Sequence, residues 1–131
     1  MGLDTTHGAY NGGYMGFNSF RRAVATAAGV NYPPHENPLV CSDGDIIVDP
    51  SDRMIYVPGK IGEFKEKNPG LAAFLFSNDC EGEFSPDLCK KMADEIGLLI
   101  PKIQNQFFDI AKKYVAGCQL AYENNETLVY H

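Results

Sequence analysis

Residues 85–101 read SPDLCKKMADEIGLLIP, a helix with its start and its stop both written in. Ser85 can cap the N-terminus, Pro86 suits the first helical position, and Asp87 suits the positive end of the helix dipole. Leu88, Met92, Ile96 and Leu99 recur at helical spacing and predict a buried stripe, with Cys89, Ala93 and Ile100 beside it. Pro101 then breaks or kinks the run.

Working outward, a last helix is predicted from about Lys102 to Tyr122, with Ile103, Phe107, Ile110, Ala111, Tyr114 and Cys118 inward. Thr127 to Tyr130 suits a final short strand. Near the start, Phe17, Phe20, Val24 and Ala28 mark one apolar face of a helix over Tyr14 to Ala28. Gly29 can end that helix, and Pro33-Pro34 forbids its continuation. The middle is turn-rich. Ser42-Asp43-Gly44-Asp45 lies between Leu39-Val40-Cys41 and Ile46-Ile47-Val48 and predicts a hairpin. Asp49-Pro50-Ser51-Asp52 predicts another turn, before a strand at Met54 to Val57. Leu71 to Phe76 is too short for periodicity to separate strand from helix; its alanines and the preceding Asn68-Pro69 favour helix. Met1 to Gly13 reads as an ordered loop or an arm. The class is α+β: three or four helices packed on a small antiparallel sheet.

The 131 residues fit a single domain, 1–131, large enough to bury a core without a metal or a disulfide. The formal net charge of −6 and only 11 scattered Lys and Arg argue against nucleic acid as a partner. No basic amphipathic face and no apolar run of roughly 18 residues argue for a membrane. The start of the chain lacks a signal peptide, so a cytoplasmic setting is expected. Cys41, Cys80, Cys89 and Cys118 contain no close CxxC pair and are expected to be buried free thiols, with a Cys80–Cys89 disulfide as the alternative.

Two polar segments hold the candidate site. In the first, Asp4, Thr5, Thr6 and His7 precede Gly12-Gly13 and a helix on which Tyr14, Asn18 and Arg21 share one stripe. Arg21, Asn18, His7 and the free N–H groups of the first helical turn suit a phosphate or carboxylate, and Tyr14 suits stacking. The competing reading makes Asp4 and Thr5 local caps and pairs Arg21 with a surface acid. The second segment, Ser77 to Ser85, resembles the first part of an EF-hand loop, with Asp79 and Glu81 alternating before Gly82. Its first position is Ser77 rather than Asp and its last is Leu88 rather than Glu, so no metal is expected. No cofactor motif and no G-x-S-x-G or H-E-x-x-H signature occurs.

The opening Met1-Gly2-Leu3-Asp4-Thr5-Thr6-His7, with Gly12-Gly13-Tyr14 and Phe17-Asn18-Ser19-Phe20-Arg21, resembles a family of small bacteriophage and prophage proteins. That family begins M-G-L-D-T-T-H, continues G-A-Y-x-x-F-N-x-x-R, and later carries H-S-D-C-D-G-E before a Cys-containing helix. Ser77-Asn78-Asp79-Cys80-Glu81-Gly82-Glu83 and Cys89 are the counterparts here. The departures are Gly13 for Ala, Ser77 for His and Glu81 for Asp. The resemblance implies a phage accessory protein acting against host defences in a bacterial cytoplasm. The expected function is a sponge: a non-catalytic protein, expected to be a homo-oligomer, that sequesters a small anionic nucleotide-derived signal. Asp4, Thr5, Thr6, His7, Tyr14, Asn18, Arg21, Asp79 and Glu81 are its expected ligand-binding residues. One alternative is an interaction protein that inhibits a host protein through an exposed apolar patch at Leu71 to Phe76. The other is a nucleotide-degrading enzyme using Asp4 and His7 as acid and base.

Overall fold

The chain begins with a hairpin whose turn is locked by hydrogen bonds rather than with a free arm. In the structure, a computed structural model that describes residues 2–30, 32, 45–48, 54–57, 59–77 and 82–130, β1 (Gly2–Asp4) pairs antiparallel with β2 (Asn11–Gly13). Thr5 closes the connection: its N–H donates to the Tyr10 carbonyl, and its hydroxyl accepts from the Tyr10 N–H at 2.9 Å. His7 and Gly8 both take the left-handed conformation, with φ of 63° and 67°, to reverse the chain between them. Leu3 is fully buried and anchors the hairpin to the core.

The hairpin leads into α1 (Tyr14–Ala27), which buries Phe17, Phe20, Arg21, Val24 and Ala25. The ribbon β3 (Asp45–Val48) and β4 (Met54–Val57) follows, then α2 (Ile61–Lys67) and α3 (Pro69–Phe76). Next come β5 (Gly82–Phe84) and α4 (Pro86–Leu99), whose N-cap Ser85 accepts from the Leu88 N–H. Pro101 cannot continue α4, and the chain tightens into two 3₁₀ turns, Ile100–Lys102 and Asn105–Phe107. The last helix, α5 (Phe108–Glu123), therefore starts later than the apolar spacing alone suggests. It ends before β6 (Leu128–Tyr130), which pairs antiparallel with β5.

The α+β class and the antiparallel pairing agree with the sequence reading. The helices number five among the described residues, because 61–76 supplies two. The strands form three two-stranded ribbons rather than one sheet, and a single bridge from Thr5 to Tyr130 links the first ribbon to the third. The expected hairpin arm at Leu39–Cys41, the turn at Asp49–Asp52, Pro33-Pro34, Cys41 and Cys80 lie outside the described residues.

The core centres on Phe20, Phe74 and Tyr114, whose ring centroids lie 5.0 to 5.7 Å apart. Each such pair contributes about 0.5–1.5 kcal/mol beyond area burial. Leu71, Ala72, Phe74 and Leu75 belong to this core. That corrects the expectation of an exposed patch over Leu71 to Phe76: α3 is apolar on nearly all sides, and a helix of that kind is buried. Only Ala73 and Phe76 stay half-exposed.

α3 packs so closely on α4 that a Cβ at Gly70 would stand 2.5 Å from the Lys91 carbonyl carbon and the Met92 nitrogen. Backbone atoms cannot step aside, so Gly70→Ala is expected to cost about 1–3 kcal/mol in denaturant unfolding. Gly97, inside α4, has nothing within 4 Å of a built Cβ. Gly97→Ala is expected to stabilise the protein by about 0.5–1 kcal/mol through helix propensity. Equal effects of the two substitutions would contradict this packing.

Candidate functional site

The residues expected to form one anion site are divided between two structural tasks. Thr6 and His7 stitch the chain ends together. The Thr6 hydroxyl accepts from the Val129 N–H at 2.9 Å and lies 2.8 Å from His7 Nδ1, and His7 Nε2 lies 3.2 Å from Glu126 Oε1. An Nε2–H tautomer satisfies the whole chain: Val129 N–H to Thr6, Thr6 O–H to His7 Nδ1, His7 Nε2–H to Glu126. Asp4 is exposed on β1, and Thr5 is buried in the hairpin closure described above.

A hydroxyl, an imidazole and a carboxylate in series also have the connectivity of a nucleophile, a base and its orienting acid. Thr6 is poorly placed for that role, because its oxygen already accepts an amide N–H. The Asp4 and His7 acid–base pair expected for an enzyme does not form, since His7 turns to Glu126 instead.

Arg21 performs the second task. Its side chain is fully buried rather than paired with a surface acid. Nη1 donates to the carbonyls of Phe74 at 3.3 Å and Ser77 at 2.7 Å, and Nη2 donates to Asn18 Oδ1 at 3.0 Å. The guanidinium also lies 5.1 Å from the Phe17 ring centroid and 5.6 Å from that of Tyr32. The i, i+3 placement of Asn18 and Arg21 on α1 is thus used, but toward the C-terminal end of α3. There a cation satisfies unpaired carbonyls and offsets the negative end of the dipole. Tyr14 is half-buried against the core. Asp79 and Glu81 lie outside the described residues.

The opposite end of α3 is held by an anion. The Glu95 carboxylate on α4 accepts from the Gly70 N–H at 2.9 Å and the Leu71 N–H at 3.2 Å. α3 is thus clamped by charges of the sign that each end prefers, and it forms one wall of a groove. This groove, about 450 Å³, is lined by Lys65 of α2, Ala72, Ala73 and Phe76 of α3, Ser77, Glu83 and Phe84 of β5, and Leu88 of α4. It is an open groove rather than an enclosed cavity, with an apolar lining and a few polar groups. Sequence reasoning missed Lys65 and Glu83 as rim residues. The available signal was α3 itself: an eight-residue helix apolar on every side must bury most faces and leave a residue of apolar surface at its edge.

Behind the groove the core contains a polar cluster that does not reach solvent. Tyr114 and Tyr130 hydroxyls are 2.5 Å apart, and both residues are buried. Burial pushes both phenols well above their ordinary range. Cys89 and Cys118 are buried free thiols at the α4–α5 contact. Contact with the Cys89 thiol, and then burial, push the Cys118 thiol up. Tyr114, Tyr130 and Cys118 therefore remain protonated near neutral pH, which suits packing, whereas the hydrogen bond from Cys118 pulls the Cys89 thiol below its ordinary value. Among the described residues no cluster of three or more His, Cys, Asp or Glu is placed to hold a metal ion, and no helix is long and apolar enough to cross a membrane.

The two tasks predict different costs. Arg21→Met leaves the Phe74 and Ser77 carbonyls without their charged donor and is expected to destabilise by roughly 3 kcal/mol. His7→Ala removes a link to the exposed Glu126 and is expected to cost about 1 kcal/mol or less. Chemical denaturation of both variants measures the difference; a near-neutral Arg21→Met would remove the clamp from the account.

No protein-family model matches the chain, and no match was found among curated proteins or solved structures.

Proposed function

We propose that this protein is a non-catalytic interaction protein that holds a host protein in the groove between α3 and β5. The observation that carries this reading is the groove itself: an apolar floor flanked by Lys65 and Glu83. The resemblance to phage accessory proteins that act against host defences supports a bacterial host protein as the partner. The sequence ranks nucleotide sequestration first. The interaction reading is placed first here because Arg21, Asn18, Thr6 and His7 are engaged in hydrogen bonds within the fold and none of them lines the groove.

Tagged wild-type protein incubated with bacterial host lysate is expected to retain one stoichiometric partner. Ala73→Arg places a long cation on the half-exposed groove side of α3 and is expected to reduce that capture at least tenfold. Absence of a partner, or equal capture by Ala73→Arg, would overturn the reading.

The groove's volume and the single cation Lys65 favour a second reading, sequestration of a small anionic nucleotide-derived molecule with its base against Phe76. Native mass spectrometry with cyclic dinucleotides and other nucleotide second messengers tests it. A retained messenger, released intact on denaturation and lost in Lys65→Ala, is the expected result. Retention of none sinks the second reading and leaves the first untouched.

A further inference from the structure

The hydrogen-bond pattern around β6 fixes which way the backbone of β5 faces. Val129 pairs with Glu83 in the β5–β6 register, yet the Val129 N–H is directed away from β5, to the Thr6 hydroxyl. In an antiparallel ladder the two residues of a pair either both face each other with their N–H and C=O groups or both face outward. Glu83 therefore points its own N–H and C=O away from β6, to the open edge of β5. Among the described residues no strand pairs with that edge.

The groove runs along the same edge. Successive residues of a strand point to opposite faces, so a cavity touched by both Glu83 and Phe84 skirts the strand rather than lying over one face. No residue of β6 lines it. An N–H and C=O with no strand partner among the described residues thus border an apolar trough, the arrangement that receives an extended peptide as an added strand.

We propose that the groove binds an extended segment of a partner protein, which joins β5 as a third strand through the backbone of Glu83. This rests on the interaction-protein reading and names the form of the partner. A three-residue strand offers roughly 10 Å of edge, enough for about three or four partner residues. The residue opposite Glu83 shares its face, where the exposed carboxylate of Glu83 favours a cation. The residues on either side of that cation point to the face of Phe84 and are apolar. The segment therefore alternates apolar, cationic, apolar, and the net charge of −6 favours its approach. A second copy of β5 fits poorly, because a two-fold axis at Glu83 would set two carboxylates side by side.

The test uses a displayed library of random capped heptapeptides, selected on the wild-type protein and counter-selected on Glu83→Pro. Proline removes the outward N–H of Glu83 without taking a hydrogen bond from the β5–β6 ladder, so the fold is expected to survive. Selected peptides are expected to carry the apolar–cation–apolar pattern and to bind wild type at least tenfold more tightly than Glu83→Pro. Glu83→Gln, which keeps the N–H, is expected to lose only a fewfold. If Glu83→Pro does not fold, N-methylation of the central peptide amide replaces it, with the same tenfold loss expected. Amide exchange at Glu83 is a further readout: fast in the free protein and slowed at least tenfold by a selected peptide. No enriched peptide, or equal binding to the wild type and the proline variant, overturns strand addition. If Ala73→Arg still abolishes host-protein capture in that case, the groove reading stands and only the strand geometry is lost.

Discussion

α3 is an eight-residue helix too short and too apolar to hold itself, and the rest of the domain depends on how its two ends are fixed. Isolated helices of this length are unstable in water because nucleation costs more than a few hydrogen bonds return. Here Glu95 supplies acceptors to the first-turn N–H groups, and Arg21 supplies donors to Phe74 and Ser77 at the other end. Each charge has the sign its end of the dipole prefers. The three elements α1, α3 and α4 are thereby tied through one helix. The close approach at Gly70 follows from the same contact, since the Glu95 bonds draw the start of α3 onto the backbone of α4.

Burying a guanidinium among apolar side chains would ordinarily be costly. The cost is offset by three acceptor oxygens, by the two aromatic rings beside it, and by the dipole of α3. Lysine could not make the same set of contacts, because its ammonium lacks the planar fork that reaches Asn18 and two carbonyls at once. One nitrogen, Nε, is buried without a partner. That unsatisfied donor is tolerable because the charge is spread over the whole guanidinium and the other nitrogens are engaged.

The helices were legible in the sequence wherever a local signal marked them. Ser85 and Pro86 start α4 at the expected place, and Pro101 ends the helical run as expected. Phe17, Phe20 and Val24 face the core as their spacing requires. The pairing of the strands was less legible, because three-residue strands carry almost no period. The N-terminal hairpin was hidden in a polar opening: its pairing comes from Thr5 and from two left-handed residues rather than from an apolar alternation. The candidate site was the least legible. Asn18 and Arg21 do meet, as their shared stripe implies, but a sequence cannot say whether a cation on the border of a core faces a ligand or a carbonyl. Here the long-range partner, the end of α3 more than 50 residues away, settles the matter.

The same reasoning explains why a search for chemically expressive side chains misses the groove. Its walls are mostly alanine, phenylalanine, proline and leucine, with Lys65, Ser77 and Glu83 as the polar residues of its lining. The Val129 N–H turns to the Thr6 hydroxyl, which fits a β5–β6 ladder in which the N–H and C=O of Glu83 face away from β6. Thr6 belongs to the opening motif and Glu83 to the later one. The two motifs are thus joined through β6, by the hydrogen bond from Val129 to Thr6 and the pairing of Val129 with Glu83. Losing the Thr6 hydroxyl would free the Val129 N–H and leave β6 held by its pairing with β5, the bridge to Thr5 and the buried Tyr130–Tyr114 contact. The conspicuous polar residues at the start of the chain reach the β5–β6 ribbon from a distance, through the Thr6–Val129 and Thr5–Tyr130 links, and in the proposed binding mode the groups that meet the partner are backbone.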